Sequence, residues 1–278
     1  MQRFSYVTVI ASAFFLLFPG CSGEKENTPQ PPPPNLIKVG DLAPVKPPVP
    51  AKLIQTVELE FCILEMPQRN IQWLFSEVWP LLYDRPVRPN DSDVFAANLF
   101  QFGFGEQQMW HTIADLLESA DTIVDRRTKI KLDFGQFDEL VVDRIDTKMN
   151  LFYLRSNLEI EPFHIDRGHF VFKVTASPEP GIRGICRLQA TPVYMPFRLP
   201  DKPEAKEDIS IESLGFAVNM SPGDFFILGP KPDFATVLQN ETAETGATGE
   251  KSIAHFLFTN PQKSKIRLFA IFCTGISD

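Results

Sequence analysis

Cysteine and histidine are scarce in this chain, with four of each among 278 residues. The cysteines stand at 21, 62, 186 and 273. No two are close enough for a CxxC pair, which excludes the usual zinc-ribbon and redox motifs. Also missing are a GxSxG elbow, an HExxH helix, a P-loop and an EF-hand loop. Gly103-x-Gly105 lacks the third glycine of a dinucleotide fingerprint. Positive charge is in deficit: 27 Lys and Arg face 35 Asp and Glu, a net charge of −8. That removes the basic footprint nucleic-acid binding needs. After Phe18 no apolar run approaches the roughly 20 residues of a membrane-crossing helix. These gaps leave no catalytic residue, no metal ligand set and no cofactor site to name.

What the chain does have begins at its start. Met1, Gln2 and Arg3 form a short basic leader, and Phe4 to Phe18 carries no charge. An uncharged stretch of that length suits the core of a signal peptide, about 7–15 residues, better than a membrane span. It runs into Phe18-Pro19-Gly20-Cys21, followed by Ser22 and Gly23. This resembles the lipobox of bacterial lipoproteins, with Gly20 and Cys21 at the matching positions. The resemblance implies removal of residues 1–20 and lipidation of Cys21. Two acyl chains give stable anchoring where one gives marginal binding. Ser22, rather than Asp, resembles lipoproteins sorted to the outer membrane, facing the periplasm. The outer face of the plasma membrane, an uncleaved anchor and secretion after cleavage near Gly23 are the alternatives.

Residues 21–52 read as a tether. Nine prolines fall between 22 and 52, including Pro31 to Pro34. Proline fixes φ and lacks an N–H, so neither helix nor inner strand is expected. A fully extended polyproline segment of this length reaches roughly 90 Å, enough to lift a domain off a membrane.

The body, 53–278, is long enough for a real core, and the chain holds 25 Phe to fill it. The expected class is α+β: a small β-α-β-α-like region at 53–125, then a large antiparallel β sandwich or curved sheet at 126–278. Residues 53–66 alternate, with Val57, Leu59, Phe61 and Ile63 on one face and Glu58 and Glu60 on the other. Helices are expected after Asn70, ended or kinked by Pro80, and over 94–99 with Asp91 or Ser92 as cap. FQFGFG reads as a strand whose glycines admit another backbone. EQQMWHTIADLLESAD is the strongest helix, with Met109, Ile113, Leu116, Leu117 and Ala120 as its apolar stripe, Trp110 at the core edge and His111 at the surface.

From Thr128 onward the periodicity is that of strands: TKIKLDF, ELVVDRI, MNLFYLRS, LEIEPFHI, HFVFKVTA, IRGICRLQATPVYM, ISIESLGFAVNM, DFFILG, HFLFTN and KIRLFAIFCTG. Hairpin turns are expected at 166–168 and at 221–224. Residues 196–208 and 230–251 read as long polar loops. His164, Asp166 and His169 crowd one of those turns, but alternating faces splay them apart, and a zinc site needs three or four converging ligands. Cys62, Cys186 and Cys273 read first as buried free thiols. A Cys186–Cys273 or Cys62–Cys273 bridge is the sharper option in an oxidising compartment.

The C-terminal region resembles the β-domain of bacterial secretins. The matching stretches are LGFAVNMSPGDFFILG at 214–229, like its strand-turn-strand hairpin, and FLFTNPQKSKIRLFAIFCTGI at 256–276, like its LF pair and last strand. Residues 53–120 are similar to a small ring-building domain. The function expected is that of a membrane-anchored cell-envelope lipoprotein with a soluble binding or assembly domain and no catalysis. Its partners would be the membrane, through Cys21, and an envelope protein or cell-wall component. The alternatives are a secretin-like accessory or assembly subunit and a periplasmic hydrolase.

Overall fold

A computed structural model describes residues 56–180, 182, 184–197, 207–238, 250–260 and 262–277. The signal segment, Cys21 and the tether lie outside the described residues. The fold is mostly β: two antiparallel sheets stacked as a sandwich, a small mixed third sheet, and short helices.

Strand β1 (Thr56–Pro67) shows how the layers arise. The alternation of residues 53–66 fits a sheet with one wet face, yet β1 is buried on both faces from Leu59 to Met66. It lies inside the first sheet, between β15 (Lys265–Ser277) and β4 (Ile123–Asp133). The full order there is β3 (Phe100–Gly105), β12 (Phe225–Pro230), β15, β1, β4, with the short β14 (Thr259–Asn260) also on β15. The second sheet runs β2 (Arg88–Pro89), β11 (Phe216–Met220), β9 (Cys186–Pro196), β8 (Gly168–Pro178), β5 (Phe137–Ile145), with β10 (Ile209–Ser210) on β9. The third pairs β6 (Met149–Leu154) with β7 (Ile160–Ile165) antiparallel and with β13 (Glu250–Ser252) parallel.

Phenylalanine fills the space between the two large sheets. Phe61 stacks on Phe269, and Phe269 meets Phe172 of the second sheet edge-on. Phe102 contacts Phe95, Phe216 and Phe226. Edge-to-face and offset pairs of this kind add about 0.5–1.5 kcal/mol each beyond their buried area.

Helices pack on the other face of the first sheet, where β3 presents Gly103 and Gly105. A composite helix runs through an α-turn, α1 (Ile71–Trp73), a π-turn (Leu74–Val78) and a 3-10 turn (Trp79–Leu81) that carries Pro80. Helix α3 (Trp110–Ser119) lies against it: Trp73 Nε1 and Asn70 Nδ2 donate to the carbonyls of Leu116 and Ala120. Asn70 therefore serves the C-terminus of α3 instead of capping its own helix. Trp110 goes deeper than the core edge; it is buried edge-on against Phe225 and Phe272. Helix α2 (Ser92–Ala97) is capped as expected, the Asp91 carboxylate accepting from the N–H groups of Asp93 and Val94.

The glycines of β3 make room for side chains, not for a backbone. A Cβ on Gly103 would meet Leu82 and Trp79, and one on Gly105 would meet the Phe225 ring.

Several other expectations need correction. Neither expected hairpin is one. β7 and β8 flank residues 166–167 but belong to the third and second sheets; β11 and β12 flank 221–224 but belong to the second and first. A turn signal marks reversal of the chain and is silent on whether the return lies in the same sheet or crosses to the facing one. The hairpin likened to the secretin β-domain is thus an arch across the sandwich. HFLFTN is chiefly helical, in α5 (Ile253–Phe258), because Ser252 accepts from the His255 N–H as N-cap and Ile253, Ala254, Leu257 and Phe258 form one buried stripe. The stretch 230–251 is not wholly polar loop: residues 234–238 form a helical turn, α4, that buries Phe234 against Phe258. The division at 125/126 falls inside β4, and the first sheet draws strands from both sides of it.

Candidate functional site

A cleft of about 500 Å³ opens where all three sheets meet α5. One wall is the end of β5 and the following loop: Asp143, Arg144, Asp146. The other is built from β13, α5, β14 and β15: Lys251, His255, Asn260, Arg267.

Each wall is shaped locally. The ladder between β5 and β8 slips between Val141 and Asp143, leaving Val142 as an extra residue. A bulge of this kind re-aims the side chains beyond it. Asp143 accepts a hydrogen bond of 2.6 Å from Arg267 Nη1, a link between the second and first sheets. On the rim, Arg144 Nε donates to Asp146 at 3.0 Å. Opposite, the parallel pairing of β13 with β6 sets Lys251 beside Leu151 and delivers Ser252 to cap α5. The helix closes where Thr259 Oγ1 donates to the His255 carbonyl at 2.6 Å.

Behind the cleft lies a buried carboxylate. Glu65 is 1% exposed. It accepts from Asn260 Nδ2 at 2.8 Å and from Lys263 and Lys265 at 3.2 Å each. Lys263 also reaches Asp125 at 3.0 Å. That hydrogen bond to Asp125, with the Glu65 contacts, holds the Lys263 ammonium above its ordinary range. An isolated buried charge would cost several kcal/mol, so this set of partners is what allows Glu65 to stay. Its structural effect is to fix the 262–264 turn, and so the positions of Asn260 and Arg267 on the cleft wall. A second buried carboxylate, Glu60, is held on the far side of β1 by a two-pronged pair with Arg127.

Burial, helped by the nearby Lys251 charge, pulls His255 down to about 4. At neutral pH its imidazole is therefore uncharged. The cleft combines guanidinium and ammonium groups with a neutral imidazole and two carboxylates, each engaged by an arginine. Such a surface suits a polar ligand with an anionic group, met by charge-assisted hydrogen bonds.

The residues singled out from sequence lie elsewhere. Cys21 is outside the described residues. His164 Nδ1 pairs with Asn150 at 2.7 Å within the third sheet, His169 is the second residue of β8 in the second, and the Asp166 N–H donates to the Tyr194 hydroxyl. The chain thus places the two histidines on different sheets, with Asp166 in the turn between them. Among the described residues no group of three or more His, Cys, Asp or Glu is placed to hold a metal. Cys62, Cys186 and Cys273 are buried, unlinked thiols. His111 is exposed beside Asp115. Sequence reading gave His255 no role. Its signal was the Ser252 cap ahead of IAHFLF, hidden because the same residues also fit a strand.

The fold defines a class, an antiparallel sandwich with a helical layer on one face and a polar cleft at one end. No family model matches the chain, and neither a curated protein nor a solved structure matches it.

Proposed function

We propose that this chain is a lipid-anchored cell-envelope protein whose folded domain binds a polar, anion-bearing envelope component in the cleft between β5 and α5. The observation that carries the reading is the convergence there of Arg144, Lys251, His255 and Arg267 from segments far apart in sequence. Anchoring rests on the Phe18-Pro19-Gly20-Cys21 stretch and the proline-rich run after it. Hydrolysis is the second reading, favoured by Asp143 and Asp146 in one cleft with a histidine. Binding is preferred because each carboxylate is already committed to a guanidinium.

Two experiments test this. Cys21→Ala should move the chain from the membrane fraction to the soluble fraction, and blocking lipoprotein processing should leave the signal peptide attached. Retention of the alanine variant in membranes without detergent would sink the anchor. For the cleft, affinity capture from detergent-solubilised envelopes with the full chain should retain a component that an Arg144→Ala, Lys251→Ala variant loses. Equal capture by both proteins would place binding elsewhere.

A further inference from the structure

The two large sheets are joined at 221–224 by the arch between β11 and β12, and a cysteine lies on each side of it. Cys186, the first residue of β9, pairs with Met220, the last of β11. In β9 the buried positions Cys186, Leu188 and Ala190 alternate with exposed Arg187 and Gln189, so Cys186 points into the sandwich. Cys273 of β15 is bound to the far end of the arch. Its carbonyl accepts from the Gly223 N–H at 2.8 Å, and its N–H donates to the Asp224 carbonyl at 2.9 Å.

The pairing between β15 and β1 gives the direction of the second thiol. Cys273 is opposite Leu59, on the same face as the Phe61–Ile271 and Ile63–Phe269 pairs. That is the face that meets the second sheet through Phe269 and Phe172. The two cysteines thus face each other across the core, near enough for Cys186 to raise the Cys273 thiol. Cys62 is placed differently. It pairs with Ala270, three rungs from Cys273 and on the opposite face of the sheet, with Sγ 3.7 Å from Glu60 Oε1. Three rungs is about 10 Å along a strand, beyond the roughly 7 Å limit between bridged Cα atoms.

We propose that Cys186 and Cys273 form the protein's one intramolecular disulfide, an inter-sheet staple across the 221–224 arch, with Cys62 left as a free thiol. The oxidant is a disulfide, protein or small molecule, of an oxidising compartment. One cysteine thiolate attacks it to give a mixed disulfide and expels one thiolate. The second cysteine then displaces the other, so two thiols lose two protons and two electrons and the oxidant leaves as two thiols. Both cysteines are fully buried once folded. The neighbouring Cys186 side chain and burial then push the Cys273 thiol far above its ordinary range. Exchange needs the thiolate, so the bridge closes during folding, before the sheets stack.

The proposal rests on the export reading above, and the test separates the two. Cells are lysed directly into acidified denaturant and free thiols are alkylated in the unfolded chain, since all three are buried in the folded one; the full chain is then isolated, digested and mapped by mass spectrometry with and without reductant. In parallel, the same chain is reduced, unfolded and refolded in a glutathione redox buffer. Expected in both is a Cys186–Cys273 linked peptide released by reductant, with Cys62 alkylated and a Tm about 10 °C above that of the reduced chain. A refolded chain with all three thiols alkylated, or with Cys62 in the bridge, overturns the pairing whatever the compartment. A bridge on refolding but three alkylated thiols from cells overturns the native bridge and the export reading together.

Discussion

Glu65 is a carboxylate sealed beside the 262–264 turn, and its worth lies in what would be stranded without it. Removing one member of a buried, hydrogen-bonded charge set commonly costs about 3–5 kcal/mol, because the others stay desolvated. Here Lys263 is half exposed and can swing to solvent, which lowers the cost. Lys265 and Asn260 cannot leave as easily. Glu65→Gln should therefore lose about 2–3 kcal/mol, read from the denaturation midpoint at constant m-value. Lys265→Met should lose less, since Lys263 still compensates the carboxylate; a larger loss for Lys265→Met would contradict this division of roles.

His255 makes a different prediction at the same scale. Its folded value near 4 lies below the ordinary 6.5, so between those two values the unfolded chain binds more protons. The contribution of His255 to stability is complete above about pH 6.5 and is lost as the pH falls toward 4. With the side chain at the cleft rim, the loss is about 2 kcal/mol. Lys251 opposes its protonation, and Arg144, Arg267, Asp143 and Asp146 line the same cleft. Asp224, raised by burial, contributes with the opposite sign. The comparison that isolates the histidine is wild type against His255→Gln: the variant's stability should be flatter between pH 6.5 and 4. Parallel profiles would refute the assignment.

At the scale of elements, the first sheet is asymmetric, and β3 shows it most clearly. Its glycines bring the composite helix close. A Cβ at 105 would run into the Phe225 ring, which Trp110 and Phe272 hold in place. Gly105→Ala should thus cost about 1–3 kcal/mol by overpacking. Gly135→Ala, at φ +81° with open space around it, should cost about 1 kcal/mol through backbone conformation alone. Thermal unfolding of both variants checks the order, and a Gly105→Ala protein as stable as wild type would mean that the helix face yields. The strand FQFGFG was legible because its alternation is local. What packs on its glycines was not, since Leu82, Trp79 and Phe225 are fixed by tertiary structure. The same limit explains α5 and the two arches. IAHFLF satisfies a strand and a buried helix alike, and a Pro-Gly turn at 222–223 serves a hairpin or an arch equally well. The cleft was illegible for the same cause: its residues come from 143–149, 251–262 and 267, brought together only by the pairing of β13 with β6 and of β15 with β1.

For the molecule as a whole, the question is whether 53–125 and 126–278 can exist apart. The first sheet says they cannot. β1 and β3 come from the earlier stretch, β12 and β15 from the later one, and β4 contains the junction itself. β1 runs along β15 for its full length on one side and β4 on the other, so removing the earlier stretch exposes both strands' edges and the buried Phe269, Ile271 and Cys273. The helical layer is lost with it, because α1 to α3 all lie before residue 125. The earlier stretch alone would keep β1 and β3 without the β15 and β12 strands that connect them, and two isolated strands with helices cannot bury enough apolar surface to offset chain entropy. Chains ending at 125 or beginning at 126 should accordingly show collapsed NMR amide dispersion and no cooperative melt. The 53–278 body should unfold in one transition, with the same midpoint by circular dichroism and by Trp fluorescence, since Trp110 and Trp79 sit in the helical layer against the first sheet. Two separated transitions, or a well-dispersed spectrum from either fragment, would show that the sandwich is built from independent halves.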